Sequence, residues 1–330
     1  MTAPRTATVV IPTIGRSDML ATVLRALGAQ TVASDRYDVV VSVDGPAEHV
    51  SALGDEIRPS YRHRVVDGPL RRGRASACNA GIAIATGDLI VLLDDDMEPV
   101  PEFLGAHFAA HRDAPRRGVV GAAPVRVMPN DPPVAAYVAD KFARHLQVLA
   151  APDHRWTLRD FYTGNFSIRR DVFAEVGHFD QTFGQYGNED LELVHRLRRA
   201  SVEVTFDAAA LAWQRYVKSL ESFARDNWEK GRTAVQLAGK FPEALSELKL
   251  ASYRSGALPM RVVRRSAVAL GRAFPWLATA VVAAACLLER RAFPGRRKMY
   301  ELVGNYLYWL GAFAALDDNR TTGCGLLAIP

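Results

Sequence analysis

Residues 73–104 have the sequence GRASACNAGIAIATGDLIVLLDDDMEPVPEFL, which gives the clearest indication of the fold class. The run of small residues Ala75–Ala85, closed by Gly87, predicts a helix, and the apolar segment Asp88–Leu93 predicts a buried strand. Three carboxylates, Asp94–Asp96, follow that strand directly. This order of a helix, a buried strand and a polar strand end is typical of sheets that bind ligands at the carboxyl ends of their strands.

Two earlier segments extend the same sheet. Thr6–Pro12 is rich in β-branched residues and ends at proline, and Asp38–Val43 ends at a turn that begins with Asp44, so both segments predict strands. Strands that alternate with helices predict an α/β fold with a mainly parallel sheet flanked by helices. The polar residues that follow these strands, Thr13, Asp44 and Asp94–Asp96, are therefore candidate ligand contacts.

The second half of the chain is less regular. We expect a strand over Val119–Val127 and a helix over Pro132–Leu149. The segment Tyr162–Ala200 begins with a strand-like pattern and contains a further helix start at Glu189-Asp190-Leu191. These elements would complete the domain that the first hundred residues begin.

The composition excludes several classes of protein. The chain has 330 residues, of which 49% are hydrophobic and 23% charged, and this excludes a disordered chain, a fibrous protein and a multi-span membrane protein. The net charge of +5 suits anionic ligands such as phosphates or lipid headgroups. The cysteines Cys78, Cys286 and Cys324 lack metal-ligand spacing, so we expect neither a disulfide framework nor a zinc site. Because no secretory signal is visible, we expect a cytoplasmic protein.

The acidic run Asp94–Asp96 is the strongest functional signal. Three adjacent carboxylates repel one another unless a cation or strong donors neutralise them. Mg²⁺ and Mn²⁺ prefer oxygen ligands and bridge carboxylates to a diphosphate. A solvated acidic turn is the alternative, but the run ends a strand that has no polar residue after Asp88, so we favour a metal site.

Two further features suit a nucleotide. Asp44 could accept hydrogen bonds from a nucleobase imide or a ribose hydroxyl, or it could simply form the turn before Gly45. The segment Arg71-Arg72-Gly73-Arg74 precedes a helix start, where arginines could hold a diphosphate. Its spacing matches neither a GxGxxG motif nor a Walker loop, so an exposed basic loop is the alternative.

Glu189 and Asp190 open a predicted helix after the glycine-rich approach Gly184–Gly187. Acidic residues in the first turn of a helix are favoured by the helix dipole, which alone could explain both. The functional alternative is a general base that takes a proton from a hydroxyl nucleophile. The residues alone leave both interpretations open.

Taken in this order, the motifs resemble the family 2 glycosyltransferases, which have the GT-A fold. The matching segments are VVIPTIGR (Val9–Arg16), VVVSVDG (Val39–Gly45), residues 73–104 and GNFSIRRDVFAEVGHFDQTFGQYGNEDLELVHRL (Gly164–Leu197). Each motif is weak alone, but four in the right order make a specific signal over roughly the first 240 residues. The resemblance implies an inverting enzyme that moves a sugar from a UDP-linked donor to an acceptor hydroxyl.

The resemblance also implies a role for each candidate residue. Asp94 and Asp96 match the DxD motif and would bind a divalent cation, Mn²⁺ or Mg²⁺. Of the catalytic pair Glu189-Asp190, Asp190 would take the proton of the acceptor hydroxyl. The residues that would bind the nucleotide are Pro12, Thr13, Asp44, Arg74 and Asp95. Those that would border the donor sugar are Gly164 and Asn165.

Two positions depart from the family pattern. Many members carry an arginine just before the asparagine, where this chain has Cys78. Many also place a metal-binding histidine after the strand that follows the Glu-Asp helix, at a position that matches Gln214 here. A neutral amide is a poorer ligand than histidine, so we expect either weaker metal affinity or another group that completes the coordination of the metal.

We expect two domains. The first, residues 1–240, is a GT-A domain with a nucleotide half at 1–100 and an acceptor half at 101–240. The second, residues 241–330, is a helical extension that is both basic and apolar.

The extension has an unusual charge pattern. Between Arg254 and Lys298 lie ten Arg or Lys residues and a single acid, Glu289. The uncharged run Ala273–Leu288 has sixteen residues, fewer than the ~20 that a helix needs to cross a bilayer. We therefore expect peripheral attachment to the inner face of the cell membrane, with packing on the catalytic domain or a homodimer contact as the alternative.

Two other functions share some of these features. A nucleotidylyltransferase also has a nucleotide-binding sheet and an acidic metal site, but it usually opens with a glycine-rich loop, which Val9–Arg16 lacks. A non-catalytic sugar or nucleotide binder on the same fold would be expected to lose Asp94–Asp96 or Asp190, and this chain keeps them all. We expect a lipid-linked or polysaccharide acceptor and no nucleic-acid partner.

Overall fold

The computed structural model describes residues 3–67, 72–184 and 186–321. The strands in this part of the chain are β1 (Ala7–Thr13), β2 (Tyr37–Val43), β3 (Arg62–Asp67), β4 (Leu89–Leu93), β5 (Met97–Pro99), β6 (Arg117–Gly121), β7 (Val125–Arg126), β8 (Asn165–Arg169), β9 (Glu203–Asp207) and β10 (Ala212–Arg215). The α-helices are α1 (Ser17–Gly28), α2 (Glu48–Ile57), α3 (Arg74–Ala83), α4 (Phe103–Ala110), α5 (Val134–Leu149), α6 (Arg170–Val176), α7 (Glu189–Arg199), α8 (Leu220–Lys240), α9 (Leu258–Ala273), α10 (Trp276–Glu289) and α11 (Arg296–Thr321). Short 3₁₀ helices lie at Ser34–Arg36, Leu158–Asp160, Pro242–Glu247 and Lys249–Arg254.

Seven of these strands form the central sheet, in the spatial order β3-β2-β1-β4-β8-β6-β9. Strands β1, β2, β3 and β4 run parallel to one another, and β9 runs parallel to β6. Strand β8 runs antiparallel to both β4 and β6. The sheet is thus mainly parallel and flanked by helices, which confirms the predicted α/β fold class.

The middle of this sheet forms an apolar core. Strands β1, β2 and β4 are buried along their whole length, and Leu20 and Leu24 of α1 belong to the same core cluster. The register pairs Thr13 with Val43 and Val10 with Leu92. The three strands therefore end at one edge of the sheet, where the polar candidate residues follow them.

A second sheet has three short strands in the order β5-β10-β7. Strand β10 pairs antiparallel with β5, with Gln214 opposite Met97, and parallel with β7, with Gln214 opposite Val125. Met97 directly follows Asp96, so this sheet brings Gln214 into register beside the acidic run.

The predicted strands and helix of the first hundred residues are confirmed to within two residues of their bounds. The predicted single strand Val119–Val127 is wrong, because β6 ends at Gly121 and β7 begins at Val125. Pro124 lies between them and has no N–H to donate to a strand ladder. Its carbonyl accepts a hydrogen bond from the N–H of Gln214 (2.9 Å), so the chain passes from the large sheet to the small one at this proline.

The chain forms two compact units. The first contains both sheets and comprises Met1–Val127, Ala139–Gly184 and Glu189–Tyr216. The second comprises Met128–Val138, Gln185–Asn188 and the chain from Val217 onward, with helices α8 to α11. The predicted domain boundary after residue 240 stays a prediction.

Within the second unit, α8 and α11 approach each other closely. A Cβ atom added to Gly231 would overlap the carbonyl oxygen of Tyr308, and one added to Gly311 would overlap that of Trp228. The two glycines therefore let one helix backbone lie directly against the other.

Candidate active site

The acidic run Asp94–Asp96 is held at the carboxyl end of β4 by backbone hydrogen bonds. The N–H of Asp94 donates to the carbonyl of Gly164 (2.9 Å), and the carbonyl of Asp96 accepts from the N–H of Arg215 (2.8 Å). Segments far apart in sequence, just before β8 and at the end of β10, thus fix the position of the run.

Asp95 is buried and ties β1 to β4. Its side chain accepts hydrogen bonds from Oγ1 of Thr13 (2.5 Å) and from Nε of Arg16 (3.2 Å), and Nη2 of Arg16 also contacts Oδ1. The third guanidinium nitrogen of Arg16, Nη1, lies 3.6 Å from Oδ2 of Asp96. Burial opposes the charge of Arg16, but Asp95, Asp96 and Asp94 together raise its pKa. An arginine therefore neutralises the middle of the acidic run.

A second arginine binds the first acid. Arg74, in the first turn of α3, donates to Oδ1 of Asp94 from Nη2 (2.7 Å) and Nε (3.1 Å), and to Oγ1 of Thr163 from Nη1 (2.7 Å). The same Nη1 lies 3.7 Å from Oε1 of Glu189. Burial opposes the charge, yet the surrounding groups, Asp94 above all, raise the pKa of Arg74. This side chain therefore connects the acidic run to the start of α7.

Arg74 and Cys78 lie one helical turn apart, on the same side of α3. Cys78 is fully buried, and burial raises the pKa of its thiol to about 12, so the thiol is uncharged at neutral pH. Helix α3 therefore carries a guanidinium at Arg74, one turn before the uncharged Cys78.

Glu189 and Asp190 begin α7, as the sequence predicts. Glu189 is buried, and its Oε2 has no hydrogen-bond partner among the residues that the structure describes. Asp190 is half-buried, and its Oδ1 accepts a hydrogen bond from the N–H of Leu191 (2.9 Å). Of the pair, Glu189 is the one that the structure places beside Arg74. Their catalytic roles stay predictions.

Gly164 leaves room for Asp94. A Cβ atom at this position would lie 2.6 Å from Oδ2 of Asp94 and 2.6 Å from Cε of Met97, so any side chain here would displace the acid. Its neighbour Asn165 is fully buried, and its Nδ2 donates to the carbonyls of Ala122 (3.0 Å) and Ala210 (2.8 Å). The side chain of Asn165 therefore holds neighbouring strands together, and its predicted contact with a donor sugar stays a prediction.

A buried polar network supports Asn165. Its Oδ1 lies 3.0 Å from Nε2 of His107, whose Nδ1 shares a 2.7 Å hydrogen bond with Oγ of Ser167. His111 reaches the same Oγ at 2.8 Å. Burial lowers the pKa of His107 to about 4 and that of His111 to about 3, so both are neutral at physiological pH. At neutral pH these uncharged histidines therefore position β8 through hydrogen bonds.

The end of β1 is shaped by a turn. Pro12 is buried opposite Ser42 of β2. Oγ1 of Thr13 accepts a hydrogen bond from the N–H of Gly15 (2.9 Å), while the carbonyl of Thr13 accepts one from the N–H of Asp44 (2.8 Å). The residues of β1 and β2 that are predicted to contact the nucleotide therefore lie side by side at the ends of these strands.

Asp44 holds the loop that leads into α3. Its Oδ1 accepts from the N–H of Arg72 (2.9 Å) and its Oδ2 from the N–H of Gly73 (3.1 Å). Gly73 has φ +86°, and a Cβ atom there would lie 2.7 Å from the carbonyl oxygen of Gly184, so glycine is required. Arg71, also expected in this loop, lies outside the described residues.

The acidic run suits a cation that is shared with a ligand. In the described part of the chain, no group of three or more His, Cys, Asp or Glu side chains is arranged to hold a metal ion. The run nevertheless presents two carboxylates, Asp94, which binds Arg74 through Oδ1, and Asp96, with Gln214 in register nearby. Mg²⁺ bound to a diphosphate needs only one or two protein carboxylates. The residues therefore fit a metal that a diphosphate helps to hold.

Three residues of this region were not assigned by the motifs: Arg16, Thr163 and His107. Arg16 follows Thr13 by three residues, so its place just beyond a strand end is the sequence feature that could have identified it as a site residue. Nothing in the local sequence marks Thr163 or His107, because their partners, Arg74 and Asn165, are more than fifty residues away.

Comparison with known proteins agrees with this geometry. The sequence profile described as Glycosyl transferase family 2 matches residues 8–177, slightly more than half of the chain. A second profile, described as N-terminal domain of galactosyltransferase, matches residues 144–218. The first match covers β1 to β4, the acidic run and β8.

Two relatives are validoxylamine A glucosyltransferases, from Streptomyces hygroscopicus subsp. jinggangensis and subsp. limoneus. Each is 30% identical to this chain over 223 residues, which is 60% of this chain and 52% or 49% of the relative. The chain thus spans about half the length of the curated relatives it matches.

A solved structure shares the fold. The mannosyltransferase PcManGT from Pyrobaculum calidifontis, in complex with GDP-Man and Mn²⁺, matches with a TM-score of 0.64 at 18% identity, covering 96% of this chain and 88% of that chain. At this identity the likeness concerns the fold alone. Together with the family profile and the site geometry, it leads to one conclusion: the chain belongs to glycosyl transferase family 2 and has the GT-A fold.

Proposed function

We propose that the chain transfers a sugar from a UDP-linked sugar donor to an acceptor hydroxyl. The reaction would be a single displacement that inverts the anomeric carbon. One observation carries the proposal: the acidic run Asp94–Asp96 meets Thr13, Arg74 and Gly164 at the carboxyl end of β4. Ligands of such sheets bind at this edge. The arrangement combines acids, a half-buried arginine and a glycine that leaves space beside them, which suits a diphosphate with an attached sugar.

The nucleoside would lie over the ends of β1 and β2. Pro12 and Thr13 would contact the base, and Asp44 and Asp95 would accept hydrogen bonds from the base and ribose. Asp44 already accepts two backbone N–H bonds, but a carboxylate has about four acceptor positions and can accept more. Its fixed orientation favours one placement of the nucleoside.

The diphosphate would lie beside the acidic run and Arg74. Asp94 and Asp96 would hold Mg²⁺ or Mn²⁺ together with the diphosphate. That cation would neutralise the negative charge that develops on the leaving group. The Mn²⁺ and GDP-Man in the PcManGT structure support this for a protein of the same fold. Arg74, with its strongly held positive charge, would orient Asp94 and add a second cation near the phosphates.

The acceptor hydroxyl would be activated by Asp190. Its carboxylate takes the hydroxyl proton while the acceptor oxygen bonds to the anomeric carbon, and the bond from that carbon to the diphosphate oxygen breaks. The nucleoside diphosphate leaves with the electron pair. Glu189, fixed beside Arg74, would orient the start of α7 so that Asp190 faces the acceptor. We propose a lipid-linked or polysaccharide acceptor.

The test is donor turnover with a panel of UDP-, GDP- and TDP-sugars in the presence of Mn²⁺. We expect hydrolysis of a UDP-sugar, followed by transfer in an acceptor screen, with the product anomer read by NMR. An Asp94→Asn variant is the matched negative control. Retention of the anomeric configuration would contradict the displacement mechanism, and turnover of GDP-sugars alone would contradict the proposed donor.

A further inference from the structure

Helix α9 of the second unit exposes an apolar stripe. Leu258 (67% exposed), Val262 (53%) and Leu270 (53%) are separated by multiples of four residues, so they lie on one side of the helix. Its buried residues, Val268 and Gly271, lie on another side, and a Cβ atom on Gly271 would reach α11. Helix α9 is therefore already packed on one side, and the exposed stripe is a second apolar side.

Helix α10 is apolar all round. No charged residue occurs from Trp276 to Leu288, and Ala285 is the buried residue of this helix. Trp276 is 65% exposed and Leu287 is 63% exposed. A helix without a polar side is ordinarily covered by a protein core or by lipid. We call the exposed sides of both helices the α9–α10 surface, and we expect a binding partner or a lipid surface to cover it.

The shape of the pair suits the surface of a membrane. No single helix of the described chain has the length and hydropathy to cross a bilayer. Helices α9 and α10 have them only when taken together, and this pair is bent by 115°. The fourteen residues of α10 span about 21 Å, less than the ~30 Å of a hydrocarbon core. Phe274 and Trp276, both half-exposed or more, lie on either side of the bend. Such a pair can lie along a bilayer surface.

Arginines border the α9–α10 surface. Arg261, Arg265 and Arg272 follow one another at i, i+4 and i+11 and so form a row along α9, and Arg290 and Arg291 follow α10. Arg272 pairs with Asp317 (3.0 Å), whereas Arg265, Arg290 and Arg291 are exposed and have no carboxylate of the described residues within 4.0 Å. Arg290 interacts with Glu221 at longer range. A second copy of this chain would bring the same arginines together across a two-fold contact, whereas anionic headgroups would pair with them.

We propose that the α9–α10 surface docks on a membrane that contains anionic phospholipid. Trp276, Leu287 and the α9 stripe would enter the boundary between headgroups and acyl chains, and Arg265, Arg290 and Arg291 would contact lipid phosphates. The proposal does not rest on the transfer reaction.

The test is flotation of the full-length chain with vesicles of phosphatidylcholine, with or without phosphatidylglycerol. We expect flotation with the anionic vesicles in low salt, and much less in high salt or with phosphatidylcholine alone. Leu287→Glu should lower the vesicle-bound fraction, as should the triple variant Arg265→Glu/Arg290→Glu/Arg291→Glu, each by about tenfold or more. These side chains are exposed, so both variants should keep the circular dichroism of the wild type.

Matched controls come from exposed residues of the first unit. Val148→Glu, at a side chain that is 50% exposed, controls for Leu287→Glu. Arg25→Glu/Arg62→Glu/Arg155→Glu removes the same charge from exposed positions elsewhere. Wild-type chain that stays at the bottom of the gradient with anionic vesicles overturns the proposal, as does equal flotation of the α9–α10 and control variants. A concentration-dependent dimer that Leu287→Glu dissociates, without vesicle binding, would assign the surface to a second copy.

Discussion

Arg74 donates two hydrogen bonds to one oxygen of Asp94, from Nη2 at 2.7 Å and from Nε at 3.1 Å. The remaining arm of the same guanidinium reaches Thr163 at 2.7 Å. A helix start, a strand end and the segment before β8 are thus joined through one rigid, planar group. Because the fork geometry of arginine fixes the directions of its donors, the position of Asp94 depends on the identity of residue 74.

Replacing Arg74 with lysine should therefore lower activity. Lysine keeps the charge but loses the fork that holds Asp94 and Thr163 together, and we expect kcat/KM for the donor to fall about 10–100-fold. Initial rates of donor turnover measure this. Arg62→Lys, at an exposed position of β3, is the control and should match the wild type. Wild-type rates for Arg74→Lys would remove Arg74 from the site.

The shared side of α3 predicts a rescue. Arg74→Ala should be nearly inactive, and a second change, Cys78→Arg, should restore part of the lost rate, because position 78 lies one turn later on the same side of the helix. The measurement compares the single and double variants under identical conditions. If the double variant is no more active than Arg74→Ala, the two positions are not interchangeable.

The proposed base gives a separate prediction. Asp190→Asn should lower kcat by about 10²–10⁴-fold while leaving the affinity for the nucleoside diphosphate nearly unchanged, since proton transfer occurs in the transition state. Glu189→Gln should have a smaller effect on kcat. Calorimetric titration and steady-state rates together separate binding from chemistry. Equal kcat for wild type and Asp190→Asn would leave the helix dipole as the reason for an acid at this position.

Metal dependence can be tested at Gln214. Chelation should abolish donor turnover, and Mn²⁺ or Mg²⁺ should restore it. Asp96→Asn should cost activity that added metal cannot restore, because an amide does not balance the charge of the ion. Gln214→His should lower the Mn²⁺ concentration needed for half-maximal rate, since imidazole is a better ligand for Mn²⁺ than an amide. Full activity in excess chelator would exclude the metal assignment.

The buried histidines predict a loss of stability in acid. In the unfolded chain histidine binds protons near pH 6.5, whereas burial lowers the folded pKa of His107 to about 4 and of His111 to about 3. Between these values the unfolded chain binds more protons, so the free energy of unfolding falls as pH drops below about 6.5. The loss should reach several kcal/mol by about pH 4 and level off below the folded pKa values.

Urea unfolding between neutral and acid pH measures this effect. His107→Gln keeps a hydrogen-bonding side chain but no longer titrates, so its stability should depend less steeply on pH. The exposed His49→Gln is the control and should follow the wild type. A wild-type pH profile for His107→Gln would show that other groups cause the acid sensitivity.

Much of the site could be predicted because its signals are local. The acidic run follows an unbroken apolar strand, and Glu189 begins a helix that its neighbours mark, so both were located from adjacent residues alone. Pro124, which divides Val119–Val127 into two strands, is visible in the sequence. Its structural role depends on the hydrogen bond that its carbonyl accepts from Gln214 of β10, a residue far away in the sequence.

The rest depended on register between distant segments. Every position of β8 is buried, so the pattern does not reveal that Asn165 turns toward Ala122 and Ala210. The contact of Arg16 with Asp95 arises because β1 and β4 are neighbours in the sheet, although 79 residues separate the two side chains. Such pairs require the fold itself.

The approach of α8 to α11 has a consequence for protein engineering. Because Gly231 and Gly311 let one backbone lie against the other, the distance between these helices is set where no side chain can be varied. A randomised library that includes either glycine would lose most of its members to misfolding. The exposed residues of α9 and α10 have no such constraint. A designer could therefore exchange that surface for another while keeping α8 and α11 as a fixed frame.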